Sequence, residues 1–336
     1  MNRLDVALLR GLRQASGWTP VSDFAQALQV DPARIRERLG ELNAAGFQIE
    51  DRPGHGIRLM GETDRLVGDD LLSRMGEGAW LREVVVFEET SSTNDQALRL
   101  GRSGADAGVL FVAERQTAGR GRFGRVWESA PHAGLWCSVL LRPAIRMDAW
   151  PRLTTAAAVG LARGMELSAP IQVKIKWPND LYWNGRKLGG ILMETGVDAR
   201  GEPFAVLGFG INVNQERFPE PLQGQAASVR IAAGGAFQDR PALAARVLDS
   251  LGTALHRAES GGFGELLDEA RRRSLMLGHW IRLEQAENRG GALIEGIAES
   301  LDSEGRLEVR VSGGGVVQCT GGEVTVLSGG WQSRAG

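Results

Sequence analysis

The sequence predicts a multi-domain α/β protein in three parts: an N-terminal winged helix-turn-helix, a central α/β domain on a mixed sheet, and a small C-terminal β-barrel. Three observations predict it. Apolar residues recur at helical spacing as far as Gly46, and a short hairpin pattern follows. From about Glu83, strand-like runs alternate with helical stretches. After about Leu277 only short strand-like runs remain, divided by glycine-rich turns.

In residues 2–14, Leu4, Leu8 and Leu12 stand at i, i+4 and i+8, a helical stripe. "SDFAQALQV" predicts a second short helix. A third begins at Asp31, a good cap, with Pro32 suited to the first helical position; Ile35, Leu39 and Leu42 form its stripe and Gly46 closes it. "FQIEDRPGHGIRL" then reads as a hairpin, the wing. Arg34, Arg36 and Arg38 on the third helix, with Arg52, His55 and Arg58 in the wing, are the candidate DNA contacts. Residues 1–65 hold nine Arg against nine Asp plus Glu, so positive charge is not in surplus. A domain that only packs or dimerises stays open as the alternative.

"GETDRLVGDDLLSRMGEG" predicts a linking helix between glycines. Strands follow at "EVVVFE", "VLFVAER", "GLWCSVLLRP", "VKIKW", "GILMETG" and "FAVLGFGINVN". Helices lie at "STNDQALRLG" and "MDAWPRLTTAAAVGLARGME", and others close the domain around 238–273. "WIRLEQ", "LIEGIAESLD", "RLEVRV" and "VTVLS" are the strands of the barrel. The expected domains are 1–65, 66–272 and 273–330.

A net charge of -2 leaves no general coat for polyanions, so any nucleic-acid affinity rests on local patches. Cys137 and Cys319 are far apart and the four histidines are scattered, which suits a reducing compartment and offers no metal-ligand cluster. No apolar run reaches about 18 residues, and "MNRLDVALLRGLRQ" lacks the apolar core of a signal peptide. The expectation is a soluble cytoplasmic protein with no membrane partner.

The chemistry concentrates in two segments. In "AERQTAGRGRFGRVWES" (113–129), Arg115, Arg120, Arg122 and Arg125 alternate with Gly119, Gly121 and Gly124. Backbone N–H groups and guanidinium forks on such a loop can converge on an anion. An AT-hook is disfavoured by the strand-like apolar flanks, GxxxxGK[ST] is absent, and "GFGINVN" lacks the third glycine of a dinucleotide fingerprint. In "VKIKWPNDLYWNGRKLGG" lie Lys174, Lys176 and Lys187, the chain's three lysines among 39 Lys plus Arg. That confinement points to a need for compact ammonium ions. Alternation places Val173, Ile175 and Trp177 on one face and Lys174 and Lys176 on the other. Pro178 ends the ladder, which sets Asn179 and Asp180 at a strand end. Lys187 falls at the base of an Asn-Gly hairpin, toward the same cleft. A plain hairpin with solvated lysines is the competing reading.

With "SSTN" (91–94), "ERQTAGRGRFGRVW" (114–127), "KWPNDLYWNGRKLGGIL" (176–192), "GFGINVN" (208–214) and "GGEVTVL" (321–327) in this order, the chain resembles biotin protein ligases. Its N-terminal part resembles the bifunctional type, the BirA family, which also represses biotin operons. The resemblance implies a biotin/lipoyl ligase-like central domain and an SH3-like C-terminal barrel. It implies that biotin and ATP form biotinyl-5′-AMP, with Mg²⁺ present. Biotin would then pass to a lysine of a biotin carboxyl carrier domain, usually of acetyl-CoA carboxylase. By the same resemblance, Ser92, Thr93, Asn94 and Gln116 would hydrogen-bond biotin. Arg120, Gly121 and Arg122 would close on its carboxylate and the phosphate. Lys187 would bridge carboxylate and α-phosphate, Asn179 and Asn212 would face the nucleotide, and Asp180 would orient Mg²⁺ or accept the incoming lysine's proton. Catalysis would rest on Lys187, Arg122 and Asp180. Trp127 is a candidate wall, and the polar stretch 214–230 would order over the adenylate. An adenylate-linked homodimer and operator DNA are the expected partners. The alternatives are an effector-sensing DNA-binding regulator without turnover and a lipoate ligase.

Overall fold

The computed structural model describes residues 3–76, 80–284 and 293–327. Asn2, Gly78, Gln285 and residues 328–330, which close or open predicted segments, lie outside the described residues.

The N-terminal helices are α1 (Arg3–Gln14), α2 (Val21–Leu28) and α3 (Pro32–Ala44), followed by the antiparallel pair β1 (Gln48–Arg52) and β2 (Gly56–Gly61). The predicted stripes meet in one small core of Leu8, Leu12, Ile35, Leu39, Leu42 and Ile57. Asp31 caps α3 by accepting from the Ala33 N–H at 2.7 Å. Thr19 bridges to Ile57 and extends the hairpin by one short pairing.

The helix α4 (Gly68–Arg74) packs against α1. Arg13 pairs with the buried Asp70 and with Glu62, and Arg10 donates to the Ser73 carbonyl at 3.3 Å. The linker is fastened further along. Arg240, fully buried, pairs with Glu114 at 2.6 Å and Asp64 at 3.0 Å, while the Leu66 N–H donates to Glu114 at 2.9 Å. A buried charge persists only when paired in this way.

Next come β3 (Glu83–Thr90), α5 (Thr93–Arg102), β4 (Val109–Gln116), β5 (Gly134–Leu141), α6 (Pro151–Ser168), β6 (Lys174–Lys176), β7 (Asp180–Trp183), β8 (Arg186–Val197), β9 (Pro203–Asn212), α7 (Val229–Ala232), α8 (Arg240–Glu259) and α9 (Phe263–Arg273). The strands form one mixed sheet in the order β3-β4-β5-β9-β8-β7-β6. Only β3 and β4 run parallel, joined through α5. Both faces are covered. Leu110 and Val112 of β4 face a core shared with α6 and α8, while Phe111 faces Ala97 and Leu98 of α5. That double cover explains the unbroken apolar run "VLFVA".

Two elements differ from the sequence expectation. The lysine segment holds two short strands rather than one. The chain reverses through Trp177–Pro178–Asn179, so β6 pairs with β7, and β7 then pairs with β8 across the Asn184–Gly185 turn. The C-terminal part, β10 (Trp280–Glu284), β11 (Leu293–Leu301), β12 (Leu307–Val311), β13 (Val316–Cys319) and β14 (Glu323–Val326), contains β13 beyond the predicted strands. Four residues behind a glycine run carry too little pattern to read. The five pair antiparallel in the order β13-β12-β11-β10-β14, and Ile281, Leu283 and Val324 join the central core.

Candidate active site

A cleft of about 870 Å³ opens between the central sheet, the 119–127 loop, the 215–226 segment and the start of β14. Its two ends differ in chemistry.

One end is neutral. Ser92, Thr93 and Asn94 lie buried at the start of α5, and the parallel register sets Thr90 beside Gln116. Gln116 Oε1 accepts from the Thr93 N–H at 2.8 Å and from its hydroxyl at 3.1 Å. Ser138 donates to Thr93 Oγ1 at 2.7 Å, and Asn94 Nδ2 donates to Glu194 at 2.6 Å. Asn94 lies flat on β9 at Gly208, and Trp127 at Gly210; a Cβ at either glycine would overlap those side chains. The "GFG" pattern therefore serves close packing over a strand.

The other end is charged. Lys176, Asp180 and Tyr182 come from β6 and β7, and Lys187 from β8. A bulge in the β7–β8 ladder pairs Lys187 with Tyr182 while Asp180 pairs with Gly190, so Lys187 shares a face with Asp180. Lys187 Nζ lies 2.8 Å from Asp180 Oδ1 and 5.3 Å from the Trp127 ring centre. The two form an ion pair, the charge partner of the buried Asp180 Oδ1, which accepts no further hydrogen bond. Burial pushes the Lys176 pKa down, against the pull of Asp180.

The arginine loop folds into a small hairpin. Trp127 N–H donates to Gly119 O and Gly121 N–H to Arg125 O, both at 2.8 Å, with Phe123 (φ 59°) and Gly124 (φ 73°) left-handed at the tip. Convergence of its four arginines on one point, which the Arg/Gly alternation suggests, does not occur. Arg115 pairs with Glu89, Arg120 with Asp95, and Arg125 with Glu323. Arg122 donates to Asn179 Oδ1 at 3.1 Å and to the Gly322 carbonyl at 3.3 Å. Each fork has found a local acceptor, and Arg115 lies outside the cleft lining. Burial lowers the Arg122 pKa, while Asp180 and Glu323 oppose the shift; the hydrogen bond that Arg120 donates to Asp95 raises that of Arg120.

Of the remaining site candidates, Gly121 lines the cleft. Asn179 donates to Ile191 O at 2.8 Å. Asn212, buried at the cleft edge, donates to Ala227 O at 3.1 Å and accepts from Gln215 at 3.3 Å, so it anchors the 214–230 stretch. Among the described residues, three buried side-chain atoms have no hydrogen bond: Trp127 Nε1, Asp180 Oδ1 and Gln215 Oε1. All three residues line this cleft. Asp180 Oδ1 is compensated by the Lys187 ammonium at 2.8 Å, but Trp127 Nε1 and Gln215 Oε1 are not hydrogen-bonded, and an unsatisfied buried group costs about 1–3 kcal/mol, so these two mark a place prepared for a ligand. Asp95, Glu194 and Ser138 were not singled out in the sequence, Gln215 and Glu323 fell inside the noted stretches 214–230 and 321–327, and the lysine confinement did point to Lys176.

The candidate DNA residues sit apart from the cleft. Arg38 is mostly enclosed: its guanidinium donates to the buried Asp5 at 2.8 Å, which ties α3 to α1, and pairs with Glu41 on its own helix. Arg34 pairs with Glu37, Arg36 with Asp51, and Arg52 with Glu50 while stacking on Trp18. Arg58 and His55 are exposed in the hairpin.

Residues 86–212 match the biotin/lipoate A/B protein ligase family. The chain is 36% identical to the bifunctional ligase/repressor BirA of Bacillus subtilis over 213 residues, 63% of this chain and 66% of that protein. It is 36% identical to the biotin–[acetyl-CoA-carboxylase] ligase of Mycobacterium tuberculosis over 263 residues, 77% and 93% of the two chains. It is 30% identical to the bifunctional ligase/repressor BirA of Salmonella typhimurium over 312 residues, 91% and 92%. The solved biotin protein ligase of Aquifex aeolicus in complex with biotin and ATP superposes with a TM-score of 0.64 at 27% identity, covering 74% of this chain and all of that one.

Proposed function

As a member of the biotin protein ligase family, this chain, we propose, joins biotin to ATP as biotinyl-5′-AMP with release of pyrophosphate and then transfers biotin to a lysine of a biotin carboxyl carrier domain. The observation that carries this reading is the two-ended cleft, with neutral hydrogen-bonding groups at one end and the Lys187–Asp180 pair at the other. The neutral end, with Ser92, Thr93, Asn94 and Gln116, suits a urea ring, which needs donors and acceptors but no charge. The charged end suits a carboxylate meeting a phosphate, two anions whose repulsion must be cancelled where they react.

In the first step a carboxylate oxygen of biotin attacks the α-phosphorus, and pyrophosphate leaves. Lys187 places a point charge between the two anions, Arg122 neutralises the phosphate from the loop side, and Asn179 and Asn212 border the nucleotide. Arg120 and Gly121 lie on the carboxylate side. In the second step a carrier lysine attacks the acyl carbon and AMP leaves; Asp180, the cleft carboxylate beside Lys187, takes the amine proton. Among the described residues no group of three metal-ligating side chains exists, which fits Mg²⁺ held by substrate phosphates and at most one carboxylate. Asp180, a carboxylate in the cleft lining, would be that ligand. Mg²⁺ would supply further charge neutralisation at the phosphates.

The domain reading that goes with this function is a winged helix-turn-helix over 1–65, a catalytic domain over 66–272 and an SH3-like barrel over 273–330. The Salmonella alignment takes in 91% of the chain and so reaches into the N-terminal helices, which supports a second role as a biotin-responsive repressor acting as an adenylate-linked homodimer on operator DNA. The reaction belongs in the cytoplasm, where ATP and carboxylases are found.

Mass spectrometry of a biotin carboxyl carrier domain incubated with this protein, biotin, ATP and Mg²⁺ tests the reading. One biotinyl group on one lysine is expected. Pyrophosphate release with lipoate in place of biotin would make it a lipoate ligase, and biotin binding with no release would make it a sensor.

A further inference from the structure

Strand β9 works as a ruler along the cleft. Its even residues share one face, about 7 Å apart. Asn94, from the neutral end, lies on Gly208. Trp127 lies on Gly210, and a Cβ at the paired Gly190 would touch Trp127, Asp180 and Lys187 together. Asn212 is the next step, beyond the charged pair, and Gln215 is hydrogen-bonded to it. Gln215 is more than nine-tenths buried and lines the cleft. A relay fixes its orientation. The Ala227 carbonyl can only accept, so Asn212 turns Nδ2 to it at 3.1 Å and leaves Oδ1 toward Gln215. Gln215 answers with Nε2 at 3.3 Å, and the fully buried Ser228 donates to the Gln215 carbonyl at 2.6 Å. Turning the Gln215 amide over would set oxygen against oxygen. Its Oε1 is therefore a fixed acceptor, and no group among the described residues donates to it. A buried acceptor so placed calls for a donor on the ligand.

We propose that Gln215 reads the base of the nucleotide: its Oε1 accepts from an exocyclic amine, so that a 6-aminopurine is taken and a 6-oxopurine is refused. The inference rests on the ligase reading, in which urea ring, carboxylate–phosphate junction and nucleoside follow one another along β9. The nucleoside then falls at Asn212 and Gln215. Phe218 and Leu222, in the same lining, offer apolar surface to a flat ring, which favours the base over the ribose as the donor. The adenine amine supplies the N–H that Oε1 lacks. Hypoxanthine presents a carbonyl at the same place, acceptor against acceptor, and the relay keeps Gln215 from turning to suit it. A fixed polar group rejects the ligand that leaves it unpaired.

The test uses the full chain and follows pyrophosphate release with biotin and one of three nucleotides: ATP, inosine triphosphate, or purine riboside triphosphate, which carries only hydrogen in place of the amine. In the wild type, kcat/KM should fall about tenfold from ATP to purine riboside triphosphate and about a hundredfold to inosine triphosphate. In Gln215→Met, near-isosteric but without the acceptor, the three should come within about threefold of one another, through loss with ATP. Biotin affinity of the variant, read by calorimetry without nucleotide, should match the wild type. Equal loss with all three nucleotides would overturn the proposal and make Gln215 a support for its segment. Inosine triphosphate used as well as ATP by the wild type would overturn it without any variant. Selectivity against 2′-deoxyATP or 3′-deoxyATP that vanishes in Gln215→Met, with the preference for ATP over inosine triphosphate kept, would assign the acceptor to the ribose and overturn the base reading. If the wild type releases no pyrophosphate with any nucleotide, the ligase reading itself has failed; if it does so from ATP and inosine triphosphate alike, only the Gln215 assignment has.

Discussion

Replacing Lys187 by Ala separates the cost to the fold from the cost to the chemistry. In the fold, Lys187 stands 2.8 Å from Asp180, and its loss leaves a mostly buried carboxylate short of one neighbour. Asp180 is not thereby stranded, because it also acts on Lys176 and Arg122. The expected destabilisation is about 1–2 kcal/mol. In the chemistry, Lys187 is a preorganised charge where two anions meet. Removing one such group typically slows a reaction about 10²–10³-fold, or about 2.7–4 kcal/mol. The chemical loss exceeds the structural one, so a folded, biotin-binding and nearly inactive protein is expected. Single-turnover pyrophosphate release reads the chemistry, urea unfolding reads the fold, and calorimetry with biotin alone reads the neutral end, where affinity should fall less than about fivefold. Lys187→Arg preserves the charge but must fit a planar fork between Asp180, the Trp127 ring and Gly190, and at least a tenfold loss is expected. Adenylation within threefold of wild type in Lys187→Ala, or full activity in Lys187→Arg, would refute the point-charge reasoning.

Other perturbations address the loop, the N-terminal helices and the acid limb of stability. Arg122→Gly removes the bonds to Asn179 and Gly322; reactive biotinyl-AMP should then escape and label a lysine-rich bystander protein on a streptavidin blot, and equal labelling by wild type would mean that Arg122 does not hold the adenylate in the cleft. Arg38→Ala should lower stability by about 2–4 kcal/mol in urea unfolding through the loss of its buried pair with Asp5. Arg36→Ala, by contrast, should leave stability within about 0.5 kcal/mol and weaken any adenylate-dependent gel shift; a shift equally sensitive to both would put Arg38 on the DNA face. At Glu269, burial alone would raise the pKa, but hydrogen bonds from Arg163 and Arg273 hold it below the usual value. A carboxylate depressed in the folded state stabilises above its unfolded pKa and loses that contribution as pH falls through the folded value. Glu269→Gln should therefore cost about 1–2 kcal/mol at pH 7 and make unfolding below pH 4 less steep in pH; a parallel offset at all pH values would contradict this.

The sequence by itself determined the three-part order, the helix starts and the two segments that line the cleft. These are local properties. Asp31 and Pro32 begin α3 whatever lies around them, and the alternation in "VKIKW" assigns Ile175 and Lys176 to opposite faces without a tertiary contact. Confinement of the lysines to 174–187 was likewise visible in the chain alone. What only the tertiary structure decided are relations between distant residues. Lys187 and Gly190 are three apart, and strict alternation would place them on opposite faces; the bulge opposite Leu181 and Tyr182 brings Lys187 onto the face of Asp180. The Arg/Gly pattern foretold an anion loop but not its partners, because Asp95, Asn179, Glu323 and the Gly322 carbonyl come from α5, the β6–β7 turn and β14. The tie between Arg38 and the buried Asp5 was likewise out of reach, because the spacing of arginines on a helix does not reveal a carboxylate on the helix packed beside it. Charge chooses its partner by distance in space, and that distance is created only when the chain has closed.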